Sequence, residues 1–223
     1  MDSHRKLWNK QQKEFRRILL SFDQHPQAIE LFLSQHAMLH SAKMAQTETW
    51  SFEDQVLDDM TEEQIRRIPR NCDHSVAWTV WHIARIEDAT MNMLVAGSPQ
   101  IFERENWRER IKVTFRDTGN VMDVKGVANL SAAIDIETLR AYRVAVGRRT
   151  REIVKQLEPE QLKQQVDPAR LQRMLDEGAV VEAASSLIDY WGKRNIAGLL
   201  LMPATRHNLV HLNEALRIKQ RRQ

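Results

Sequence analysis

The stretch LLLMPATRHNLVHLNEALRI, residues 199–218, decides how this chain is read. It has the period of a helix restarted at Pro203, whose fixed φ suits a first helical position. His207 and His211 lie four residues apart within it. At 3.6 residues per turn, a four-residue step returns to within about 40° of its starting direction, so both imidazoles leave one face. Glu214, three residues further on, falls on that face too. Two histidines on one rigid element can chelate one metal ion. A tetrahedral site that keeps a position for water or substrate usually takes three protein ligands, so a third must come from elsewhere in the chain.

Length and composition set the frame for that search. A chain of 223 residues can bury a full core in one domain. Only 7 Gly and 6 Pro, with 28% charged residues, suit a helical protein better than a turn-rich β one. The single cysteine, Cys72, excludes an intramolecular disulfide and fits a reducing compartment. The opening residues MDSHRKLWNKQQKEFRR are charged throughout and lack the apolar core of a secretory leader. No apolar run approaches the roughly 20 residues that span a bilayer. The expectation is a soluble, cytoplasmic protein. Its net charge of +3 is small, and the basic tail RIKQRRQ at 217–223 suits a solvated helix C-terminus. Nothing else in the chain supports a nucleic-acid contact.

Reading outward, residues 4–20 form an amphipathic helix with Leu7, Trp8, Phe15, Ile18 and Leu19 on its apolar side. Pro26 opens a second helix over 26–46, with Ile29, Phe32, Leu33 and Met44 toward the core. His36 and His40 share that stripe and make a second pair of the same spacing. Residues 50–71 form a connector with one short helix, opened by a Thr61–Gln64 capping box and closed by Pro69. A long helix over 75–95 follows, with Asp73 as its cap and Gly97 and Pro99 at its end. Steps of three and four from His82 give Ser75, Trp78, Thr79, Ile86, Ala89 and Met93, so His82 points inward. Spacing alone leaves it either a hydrogen-bonded core residue or the missing ligand.

Residues 117–120, Asp-Thr-Gly-Asn, read as a turn, and 121–127 as a short extended piece or loop. Asp135 caps a helix over 136–157 with Leu139, Tyr142, Val146, Ile153 and Leu157 inward. Short helical pieces over 160–165 and 168–177 lead to Gly178 and a last helical region over 183–220. Four long helices, at about 26–46, 75–96, 136–157 and 183–220, predict an all-α four-helix bundle with an added N-terminal helix and short connector helices. The expected division is an N-terminal helical extension over 1–25 and one bundle domain over 26–223.

This pattern resembles the DinB-like (DinB/YfiT) superfamily of metalloenzymes. SVAWTVWHIARIED (75–88) looks like that family's second helix with its central metal-binding His, and RHNLVHLNEA (206–215) like its last helix with the His pair. The resemblance implies a divalent metal, zinc or nickel above all, held by His82, His207 and His211. The family often carries Gln three residues after the pair; Glu214 stands here. Glu214 is then a candidate to orient a ligand imidazole or to act as a base, and His36 and His40 are candidates for the substrate side.

The resemblance further implies an enzyme that uses a low-molecular-weight thiol, an S-transferase or isomerase acting on an electrophilic small molecule. Two other readings stand beside it. One is a non-catalytic metal-binding interaction module, which a fourth ligand from His36, His40 or Glu214 would favour. The other is a nucleic-acid-associated protein using its basic termini. Leu209, Leu212 and Leu216 lie opposite the histidine face, so that helix needs cover on both sides; the N-terminal helix or a second copy could supply it. A homodimer is expected, also by the resemblance.

Overall fold

The computed structural model describes residues 3–46 and 49–221. Its elements are helical, with no named strand among the described residues. The first, α1 (Ser3–Ile18), buries Trp8, Gln12, Phe15 and Ile18 at helical spacing. Leu7, expected on that side, is 47% exposed, because Trp8 takes the inward direction.

The segment expected as one helix over 26–46 is broken. It forms α2 (His25–Ala37), a turn, and α3 (Ala42–Ala45). Tertiary bonds hold the turn open. The Met38 carbonyl accepts from the Phe52 N–H at 2.8 Å, and the Ala42 N–H donates to Asp54 at 2.8 Å. Two helices occupy the following connector instead of one, α4 (Phe52–Leu57) and α5 (Glu62–Arg66). The Thr61–Gln64 capping box forms as expected.

The central element is α6 (Val76–Asp88), every residue of which is buried. It runs on through a π-helical stretch, Ala89–Ala96, to a left-handed Gly97. Its cap is Ser75, whose hydroxyl accepts from the Trp78 N–H at 3.0 Å, in place of the expected Asp73. After two short helices, α7 (Ile101–Arg104) and α8 (Trp107–Arg110), the residues expected as an extended piece enter α9 (Val124–Ala133) instead. The Asp123 carboxylate caps that helix by accepting from the Gly126 N–H at 2.7 Å.

The long α10 (Ile136–Lys155) is capped by Asp135 as its sequence predicts. Then come α11 (Pro159–Lys163), α12 (Pro168–Asp176) and α13 (Ser186–Gly192). The last expected helix is split: Asn195 caps a separate α14 (Ile196–Leu201), a π-helical turn Met202–Arg206 follows at Pro203, and α15 (His207–Gln220) closes the chain.

The helix α6 packs against both α10 and α15, so His82 faces the last helix across the core. Leu209 and Leu212 are buried in the same cluster as Trp8 and Phe52, and Leu216 packs at its edge. The leucine face opposite the histidines is therefore covered within one chain. No helix among the described residues is long and apolar enough to cross a membrane.

Candidate metal centre

Three imidazoles converge where α6 meets the start of α15. One ligand nitrogen from each of His82, His207 and His211 lies within 4.8 Å of the others. The ring centroids are 4.4 to 5.1 Å apart. Two of the rings are oriented from behind. His82 donates its Nδ1 proton to the Thr118 carbonyl at 2.6 Å, and His211 donates its Nδ1 proton to Glu214 Oε2 at 2.7 Å. Each such bond fixes a tautomer and leaves Nε2 as a bare lone pair for the cluster. His207 Nδ1 is buried without a hydrogen-bond partner.

The carbonyl that orients His82 is delivered by the 117–120 turn. Asp117 accepts from the Gly119 N–H at 2.7 Å, and Gly119 sits at φ +79°. A Cβ there would also come 2.5 Å from the Trp81 ring, so both conformation and space require glycine. Behind His82 the Trp78 ring stacks at 4.7 Å and 7°, and the His74 ring meets Trp78 in turn at 4.8 Å, tilted by 41°. His74 Nε2 lies 4.0 Å from Glu214.

Burial, with the neighbouring His211, pushes the His82 pKa down to about 3. Burial, with His82 and His211, holds His207 well below the usual imidazole range. Both are therefore neutral near pH 7, as metal ligands must be. The Nδ1–H of His211 lowers the Glu214 pKa, which keeps that carboxylate ionised and makes it an orienting acceptor. The bare Nε2 lone pairs of His82 and His211 point toward the same space, and a cation between them removes their mutual repulsion. The donor set fits a divalent ion such as zinc.

His36 and His40 do not join this cluster. They meet Glu87 of α6, to which they donate from Nε2 at 2.8 and 3.1 Å. Arg143 and Asn208 donate to the same carboxylate at 3.0 and 2.7 Å, and Arg143 reaches on to Glu53 at 3.0 Å. All six side chains are fully buried. Sequence reasoning missed His74, Glu87 and the Thr118 carbonyl. His74, Trp78 and His82 do recur at a four-residue step, a signal for the first. Nothing in the sequence marks which carbonyl a turn will offer.

An all-helical chain with a converging three-histidine cluster defines a candidate metal-binding helical protein. Residues 45–215 match the DinB superfamily, and the chain belongs to that metal-associated family. The matched span contains all three histidines and Glu214, but begins after α1 and α2. No curated protein matched the chain.

Proposed function

We propose that His82, His207 and His211 hold a divalent metal ion and that the protein is a metal-dependent enzyme acting on a small electrophilic molecule. The observation that carries this reading is the pair of bonds behind the cluster, from His82 to Thr118 and from His211 to Glu214. Imidazoles that bind metals characteristically donate their other N–H to a carboxylate or carbonyl. A bound divalent ion would supply Lewis acidity, lowering the pKa of a coordinated water or thiol toward neutrality.

The chain itself does the positioning. Thr118 and Glu214 lock two ring orientations, Trp78 covers one face of His82, and burial keeps His82 and His207 neutral. None of the three fourth-ligand candidates, His36, His40 or Glu214, belongs to the cluster. That leaves a position for water, thiol or substrate, which favours catalysis over a closed structural site. Within the same proposal, a low-molecular-weight thiol is the nucleophile and the reaction an S-transfer or isomerisation. Homodimerisation rests on the family alone, since the leucine face that suggested it is covered within the chain.

The test is elemental analysis of untagged protein after reconstitution with zinc or nickel, beside His82→Ala and His207→Ala. About one metal per chain, lost in both variants, supports the site. Screening thiols with electrophiles then tests the reaction. A wild-type protein that takes up no metal overturns the enzyme reading.

A further inference from the structure

A groove runs between α1 and the segment from α13 to the Met202–Arg206 turn. It is a half-open concavity of about 570 Å3. Four cations line it: Lys13 and Arg16 from α1, Arg194 from the loop before α14, and Arg206 from the π-helical turn. Its lining contains no carboxylate. Elsewhere Arg17 is paired with Glu14, Arg66 with Glu62, Lys112 with Asp135 and Arg116 with Glu103. Lys13, Arg16 and Arg206 make no side-chain ion pair or hydrogen bond among the described residues. Arg194 lies over the Tyr190 ring at 4.5 Å.

A second, separate feature sits in the groove wall. Gln12 is 9% exposed, and its Nε2 donates to the Leu201 carbonyl at 3.1 Å and to Thr205 at 3.4 Å. Those acceptors fix the amide orientation. They leave Oε1 buried with no donor. A buried acceptor without a partner loses its bond to water, a cost that a donor on a bound molecule would relieve.

We propose that this groove binds a small phosphate ester that also carries a hydroxyl or amine. The four like charges meet in one concavity, where they concentrate a positive field that a phosphate dianion offsets better than a single carboxylate. A small shift of the Gln12 side chain would open its unpartnered Oε1 to the ligand's donor, and Tyr190 offers an aromatic face beside Arg194. The volume suits one small ligand, not a polymer track. None of the three converging histidines lines the groove, and four of its ten lining residues come from α1, outside the span matched to the family. The site is thus independent of the metal reading.

The experiment is calorimetry on the full chain with three probes: ribose 5-phosphate, inorganic phosphate and a 20-nucleotide single-stranded DNA. The variants are Arg16→Ala, Arg194→Ala and the remote control Lys125→Ala. The expected result is one-to-one binding of ribose 5-phosphate, weaker binding of inorganic phosphate, and a loss of about tenfold or more in each arginine variant, since charged hydrogen bonds are removed. Lys125→Ala binds as the wild type, and metal content is unchanged in all three. No binding of either phosphate probe at low salt overturns the proposal. So does binding that Arg16→Ala and Arg194→Ala leave intact. Preferential DNA binding with a steep salt dependence, weakened equally by Lys125→Ala, would replace the groove with a diffuse polyanion surface.

Discussion

His36 and His40 stand four residues apart, as do His207 and His211, yet the two pairs are held in opposite ways. In the late cluster His207 has no partner at Nδ1, but His211 sends its Nδ1 proton outward to Glu214, and His82 does the same toward Thr118. Their Nε2 lone pairs are left to the cluster. In the early pair both Nε2 protons go to Glu87, and both Nδ1 atoms are buried with no partner. For His36 and His40 to ligate a metal through Nε2, each would have to give up its hydrogen bond to the Glu87 carboxylate. Arg143 already occupies the carboxylate that would complete such a site. Spacing places two imidazoles on one face; the acceptors around them decide whether they bind a cation or a carboxylate.

Metal stoichiometry of matched variants puts the most weight on that comparison. His82→Ala and His207→Ala are expected to fall from about one metal per chain to near none, because removing one of three ligands dismantles the site. His36→Ala and His40→Ala are expected to keep about one. Elemental analysis with circular dichroism as a folding check reads both. A folded His40→Ala protein without metal would break the division between the two pairs.

Stability should show the reverse order. Burial raises the Glu87 carboxyl pKa, but His40 and His36 overcome it and hold the group well below the ordinary carboxylate value. Glu87 thus stays ionised and accepts four donors. Removing that charge with Glu87→Gln leaves Arg143 partly uncompensated, at a cost of about 3–5 kcal/mol. For a chain of this length that is a fall in Tm of roughly 6–20 °C. Because the folded pKa of Glu87 is lowered, its contribution is fully present above the unfolded carboxylate range and is lost as pH falls through the folded value. Glu87→Gln should therefore flatten the acid side of the stability profile while metal content holds. A variant as stable as the wild type at pH 7 would mean that the network contributes nothing.

Glu214 gives a finer test of the outward bond. Glu214→Ala removes the acceptor behind His211, and metal affinity should drop by about 10–100-fold. Glu214→Gln keeps a carbonyl oxygen there and should stay within about tenfold of the wild type. Competition with a chromogenic chelator measures both. Equal losses in the two variants would show that charge, and not ring orientation, is what Glu214 supplies.

Much of this was legible in the sequence, though unevenly. The inward His82, the late pair, the 117–120 turn and the long helices at 75–96 and 136–157 follow from spacing and capping residues, which act locally. The break between α2 and α3 does not, since no Gly or Pro lies in 38–41 and the turn is held by Phe52 and Asp54 from the next segment. The same bonds turn the chain at His40, which sits beyond the end of α2 and still reaches Glu87. In α9, Gly126 reads as a loop residue, yet its N–H is the one that Asp123 caps. The buried network of the early pair was not legible, because its partners, Glu87, Arg143 and Asn208, come from three distant segments.

The smallest expected effect probes how rigidly the early pair is set. Gly147 lies inside α10, where alanine would ordinarily favour the helix by about 1 kcal/mol. A Cβ at this position would stand 2.7 Å from His40 Nδ1 and 2.7 Å from Met44 Cγ. Met44 can yield through its flexible side chain; His40 is tied to Glu87 and cannot. Gly147→Ala should therefore cost about 1–3 kcal/mol in the wild type, as overpacking does. In a His40→Ala background the wall is gone, and the same substitution should become neutral or stabilise by up to about 1 kcal/mol. Denaturant unfolding of the four proteins in the cycle measures the coupling. Additive effects would mean that His40 moves aside freely, and the contrast with the outward-bonded His211 would lose its structural basis.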